Sequence, residues 1–295
     1  LSEDNVIFGS GEYTYEVDVT WPRKPVDWTW GWTPGMACDS QNRIFVNSRG
    51  PHPLVIFDTD GNMLDSWGED LLQDPHGLFI DADDNVFCVE RDQHCVFKFD
   101  RHGKLLMTIG TPGTPGAEDG LPFNRPTDLA VASNGDLFIS DGYGNAHMHK
   151  YSADGTWLQT WGGPGDGPSQ FNLCHNVRID RRDRLWVCDR ENNRIQIFDT
   201  DGQYLTEWGG LLRPNQTWFD PVDDIVYITE LTQQISIYTL DHQLITTWGG
   251  GGETPGEAPG QFVGGPHGIC QDKQGNLYVG EVFVDGRWHK YVRKS

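Results

Sequence analysis

Asp74 to Gly110 reads DPHGLFIDADDNVFCVERDQHCVFKFDRHGKLLMTIG, and Asn172 to Gly209 reads NLCHNVRIDRRDRLWVCDRENNRIQIFDTDGQYLTEWG. The two stretches match almost position for position, so one structural unit is repeated. Each opens on a His-containing element, alternates apolar and polar residues up to an Asp, turns through Asp or Asn, and closes after three further strand-like runs. Similar units occupy 33–68, 125–162, 213–249 and 265–295, giving six with 74–110 and 172–209. Five close on Gly after a large apolar residue, Trp in four of them: Trp67-Gly68, Ile109-Gly110, Trp161-Gly162, Trp208-Gly209 and Trp248-Gly249. Period-two alternation, β-branched and aromatic residues, and turns such as Asp60-Gly61, Asn134-Gly135, Asp154-Gly155 and Asp201-Gly202 predict short antiparallel strands. Four strands per unit of roughly 40 to 50 residues predict an all-β, six-bladed β-propeller forming one domain over 1–295. The sixth unit lacks a fourth strand, and the alternating stretch 13–21 is the expected donor. Their pairing would close the ring and cover the last blade's open edge.

The formal charge of −21 argues against a nucleic acid or an anionic membrane as partner. Most of the acidic side chains fall in the turns, where they need no partner outside the chain. No apolar run is long enough to span a membrane, and the first residues do not have the pattern of a signal peptide. The six cysteines, at 38, 88, 95, 174, 188 and 270, form no CxxC pair, and four lie in predicted strands. They read as reduced, buried thiols of a cytoplasmic protein, with Cys174 a candidate soft metal ligand beside His175. Trp28, Trp30 and Trp32 stand outside the repeat and are read as bracing the ring closure, the alternative being a substrate entrance. The Gly/Pro-rich inserts at 110–120, 162–168 and 249–260 are expected to overhang one face.

Three of the ten histidines share a register. His76, His175 and His267 lie five residues before Asp81, Asp180 and Asp272, in the second, fourth and sixth units. At the same place the third unit has Thr127, the fifth Asn215, and the first has Pro34 close by. The innermost strand of a propeller blade lines the axial channel, so alternate blades would bring three imidazoles to one mouth. Three neutral imidazoles with a fourth position open are the composition of a catalytic zinc site. Fe, Mn or Co are also compatible with His ligands, and packing or hydrogen bonding is the plainer alternative. His52, His94, His102, His147, His149, His242 and His289 are read as structural or surface residues. A second recurrent position, at the end of the second strand, carries Ser48, Glu90, Asp141, Asp189, Glu230 and Glu281, which suggests hydrogen bonding within the scaffold. Next to it, Arg49, Tyr143 and Arg190 are less repetitive. An Arg near a metal can clamp a carboxylate, and a Tyr there can act as a base.

Pro75-His76-Gly77-Leu78, Arg125-Pro126-Thr127-Asp128-Leu129-Ala130-Val131, Ser140-Asp141-Gly142-Tyr143-Gly144-Asn145, Asp189 to Gln196, and Pro266-His267-Gly268 resemble the peptidyl-α-hydroxyglycine α-amidating lyases, six-bladed propellers of NHL-type repeats. The resemblance covers nearly the whole chain. It implies that His76, His175 and His267 hold a catalytic zinc, that Tyr143 is the base, and that Arg49 and Arg190 lie in the active site. It also implies a small-molecule substrate bearing a carboxylate and an α-hydroxyl, whose carbinolamide C–N bond is cleaved to an amide and glyoxylate.

This chain departs from that family at two places. Gly144 follows Tyr143 where the family has a disulfide-forming Cys, and Gly268 follows His267 where the family has an Asp that contributes to a structural Ca2+ site. The calcium site is therefore not carried over. No stretch of the 295 residues reads as a copper monooxygenase domain, and the expected substrate is therefore a small N-acyl-α-hydroxyglycine rather than a peptide hormone. The other readings are a zinc-dependent hydrolase of an ester, lactone or amide, and a non-catalytic binding propeller.

Overall fold

A computed structural model describes residues 6–116, 123–249 and 256–294. Parts of the inserts at 110–120 and 249–260 lie outside the described residues. The chain gathers into two compact units, Gly68–Thr217 and Leu1–Trp67 with Trp218–Ser295.

Within Gly68–Thr217 the chain forms three four-stranded antiparallel meanders, here called blades two, three and four. They comprise Pro75–Ile80, Val86–Glu90, Cys95–Phe99 and Leu105–Gly110; Asp128–Val131, Leu137–Asp141, His147–Tyr151 and Trp157–Gly162; and Cys174–Ile179, Leu185–Asp189, Arg194–Phe198 and Tyr204–Gly209. Neighbouring blades pack face to face. Phe87, Val89 and Val96 of blade two meet Leu129, Leu137 and Ile139 of blade three, and Phe138 and Met148 meet Val177, Leu185 and Val187 of blade four. The second and third strands are consequently buried on both faces, while outer strands such as Tyr204–Gly209 are largely exposed.

In the other unit, Met36–Cys38, Ile44–Asn47, Leu54–Phe57 and Met63–Trp67 form blade one. Blade five is Pro214–Phe219, Ile225–Glu230, Gln234–Thr239 and Leu244–Gly249, and the chain leaves the first unit within its opening strand. Blade six is Gly265–Gln271, Leu277–Val282 and Trp288–Arg293, completed by Tyr13–Val17, with Tyr15 opposite Arg293 and Val17 opposite Tyr291. The expected N-terminal closure is present, with two differences. The strand stops at Val17, because the Asp18 carboxylate accepts the Thr20 N–H and hydroxyl at 2.9 and 2.7 Å and turns the chain. Ile7–Ser10 also adds a fifth strand by pairing back on Tyr13–Val17. Trp28 and Trp30 pack on the Trp21, Phe57 and Trp288 cluster, which accords with bracing.

The acidic residues have work to do inside the fold. Asp39, Asp81, Asp180 and Asp272 each accept two backbone N–H groups of the turn they open. The recurrent acid at the end of the second strand holds the segment entering its own blade. Glu90 accepts from Gln73 and Asp74, Asp141 from Asn124, Asp189 from Asn172, and Glu281 from Val263 and Gly264. In blade one, Ser48 takes this role and accepts the Gly31 N–H at 3.1 Å. Among the described residues no helix is long and apolar enough to cross a membrane.

Candidate active site

His76 lies on the first strand of blade two and His175 on that of blade four, 2% and 1% exposed. The Nδ1 of His76 is 2.6 Å from the carbonyl oxygen of Thr127, and that of His175 is 2.8 Å from the carbonyl oxygen of Asn215. A carbonyl only accepts, so each Nδ1 carries a proton, and in its neutral form each ring presents an Nε2 lone pair. Both lone pairs face the same phenol. Tyr143 Oη lies 3.2 Å from Nε2 of His76 and 3.3 Å from Nε2 of His175. The ring centroids of the two histidines are 4.8 Å apart.

The chemistry of this donor set tests whether a metal suits it. Two imidazole nitrogens and one phenol oxygen converge, and all three are lone-pair donors. Imidazole nitrogens locked through their far N–H by a carbonyl are the usual outer arrangement of a zinc ligand. The residues therefore fit a divalent cation of the zinc type.

His267, on the first strand of blade six, belongs to the other unit and has the same local setting. It is 4% exposed, and its Nδ1 is 2.6 Å from the carbonyl oxygen of Pro34. Thr127, Asn215 and Pro34 are the residues that stand in the histidine register of the odd-numbered blades. What the sequence showed as gaps in a histidine pattern are the three carbonyls that orient the rings.

Arg190 opens a short 3-10 turn after the second strand of blade four and is 7% exposed. Its guanidinium carbon is 5.8 Å from the Tyr143 ring centroid, and Nε donates to Glu191 at 2.8 Å. Burial raises the Glu191 carboxyl, but contacts with Arg213 and Arg190 outweigh that and hold it below the usual range. Sequence reasoning passed over Arg91, whose guanidinium carbon is 5.4 Å from the same ring. Burial works against its charge, yet Asp74 and Asp92 keep it firmly protonated. Its signal was available, since Glu90-Arg91 and Asp189-Arg190 share a register. Arg49 lies in the other unit, with its N–H donating to the Trp32 carbonyl at 2.8 Å and its guanidinium carbon 5.9 Å from the Trp32 ring. Within Gly68–Thr217, then, His76, His175, Tyr143 and Arg190 are brought together, and His267 and Arg49 belong to the other unit. Cys174 belongs to apolar packing, with Sγ 3.3 Å from the His147 carbonyl oxygen, and burial raises its thiol well above the ordinary value.

An NHL repeat model matches residues 123–151 and 171–198. The chain is 34% identical over 234 residues to human NHL repeat-containing protein 3, covering 74% of this chain and 67% of that protein. It is 29% identical over 306 residues to peptidyl-alpha-hydroxyglycine alpha-amidating lyase 1 of Drosophila melanogaster, covering 92% of this chain and 54% of the fly protein. It thus spans about half the length of that lyase. A solved structure of a streptogramin B lyase superposes with a TM-score of 0.67 over 97% of this chain and all of that one, at 14% identity, which bears on the fold alone. With five four-stranded antiparallel sheets, a sixth of five strands, and the NHL match, the fold is an all-β, six-bladed β-propeller of NHL-type repeats.

Proposed function

The chain belongs to the NHL-repeat family, with peptidyl-α-hydroxyglycine α-amidating lyases among its homologues, and from that premise we propose that it is a zinc-dependent lyase of N-acyl-α-hydroxyglycines. One observation carries the reading: a single phenol oxygen stands 3.2 and 3.3 Å from two imidazole nitrogens whose other N–H groups are locked on carbonyls. His267 is assigned as the third ligand on its equivalent register and its equivalent carbonyl lock.

The substrate is R-CO-NH-CH(OH)-COO⁻. Zinc, when bound, would act as a Lewis acid toward the substrate hydroxyl. Tyr143 accepts the hydroxyl proton, the O–H electron pair becomes the new C=O bond, and the C–N pair leaves with nitrogen. Return of the proton to nitrogen gives R-CO-NH2 and glyoxylate, with no water consumed. The Arg190 and Arg91 guanidinium carbons lie 5.8 and 5.4 Å from the Tyr143 ring centroid, which puts two carboxylate-binding cations beside the base. Arg49 or Arg190 would bind the carboxylate and so align the scissile bond.

The test is glyoxylate release from an N-acyl-α-hydroxyglycine by zinc-loaded protein in H2-18O. Glyoxylate and amide formed with no 18O in the amide carbonyl support the lyase. An 18O-labelled carboxylic acid in place of the amide would make the protein a hydrolase. No turnover by a chain that also fails to take up zinc would leave a binding propeller.

A further inference from the structure

Below the imidazole pair on the same first strands lies a buried cation that the chemistry above does not use. Arg178, 5% exposed, donates from Nη1 to the Asp128 carboxylate and to the carbonyl oxygens of Val177 and Leu129 at 2.8 and 3.1 Å. Its Nη2 donates to the carbonyl oxygen of Leu78 at 3.3 Å, and the Phe79 ring centroid is 5.6 Å from its guanidinium carbon. Asp128 is 3% exposed and also accepts from the Asn176 amide. One carboxylate and three main-chain carbonyls, drawn from the first strands of blades two, three and four, converge on one positive charge.

That oxygen set is what a hard divalent cation such as calcium takes from a protein: a carboxylate with backbone carbonyls. A guanidinium fills the same need with five N–H donors on a planar fork, which is why it can satisfy several oxygens from different strands at once.

We propose that Arg178 is a built-in structural cation, tying three blades together where a bound calcium would otherwise serve, and that the fold is therefore calcium-independent. The inference rests on these contacts and not on the lyase reading.

The wild-type protein, dialysed against millimolar calcium and analysed by mass spectrometry and thermal unfolding, is expected to retain no stoichiometric calcium and to show an unchanged Tm. About one calcium per chain with a raised Tm would overturn the proposal. Arg178→Met uncovers Asp128 and the three carbonyls, so it is expected to lower Tm and to regain part of the loss in calcium, a recovery abolished by adding Asp128→Asn. Arg178→Lys keeps a charge and is expected to fall less and to ignore calcium. An Arg178→Met protein as stable as wild type would also overturn the proposal, and the wild-type arm decides even if that variant does not fold.

Discussion

Replacing Tyr143 by Phe removes one oxygen and leaves the ring within reach of both Arg91 and Arg190. The phenol contacts Nε2 of His76 and His175 at 3.2 and 3.3 Å, and a single proton limits it to one donated bond at a time. The stability cost is therefore that of one hydrogen bond, about 1 kcal/mol, and the variant should fold. The catalytic cost is that of a general base, roughly 10²- to 10⁴-fold in rate, or about 3 to 5 kcal/mol of barrier. Because carboxylate binding is assigned to arginines, the loss should fall on kcat with KM nearly unchanged. Zinc uptake should persist, since both imidazoles keep their carbonyl locks. The assay is steady-state glyoxylate formation with zinc content measured on the same samples. A Tyr143→Phe enzyme within about threefold of wild-type kcat would refute Tyr143 as base, and so would a loss confined to KM.

His175→Ala should weaken zinc binding more than the roughly 10- to 100-fold typical of losing an outer partner, read by competition with a chelating dye; unchanged affinity would remove His175 from the ligand set. Gly77→Ala places a Cβ 2.4 Å from Asp128 Oδ1 and 2.8 Å from the Thr127 carbonyl oxygen. It should therefore destabilise by about 1 to 3 kcal/mol in urea unfolding, and a wild-type midpoint would show that the strands yield freely. Burial holds His289 below its ordinary value although Glu281, 2.6 Å away, opposes this. A folded pKa below the unfolded one means stability present above about pH 6.5 and lost as the pH falls. Asp128, which burial raises to about 6, works in the opposite sense, gaining stability on protonation. The diagnostic quantity is thus the difference between wild type and His289→Gln, which should narrow from pH 7.5 to 5.5; a constant gap would count against a depressed imidazole.

The six-fold repeat, the strand count, the N-terminal closure and the histidine register were legible because each is a local pattern: alternation with period two, turn residues at fixed offsets, and one residue type recurring five positions before an Asp. The recurrent acids were legible as scaffold for the same reason, though not their targets, the N–H groups entering each blade. Ile7–Ser10 went unseen because it precedes the first repeat, so no repeat register marks its four residues.

Other features depend on residues far apart in the chain. The Thr127, Asn215 and Pro34 carbonyls that set the imidazole tautomers carry no mark in a sequence, since every residue has a carbonyl and only folding brings the right one within 2.6 to 2.8 Å. Arg91 reads as one more turn residue until blade packing puts it beside Tyr143. Arg178 is one arginine in a basic run until three strands separated by about fifty residues each turn a carbonyl toward it. Residue types and spacing chose the propeller and nominated its ligands; long-range packing chose which nitrogen each ring presents and which charge the blades close around.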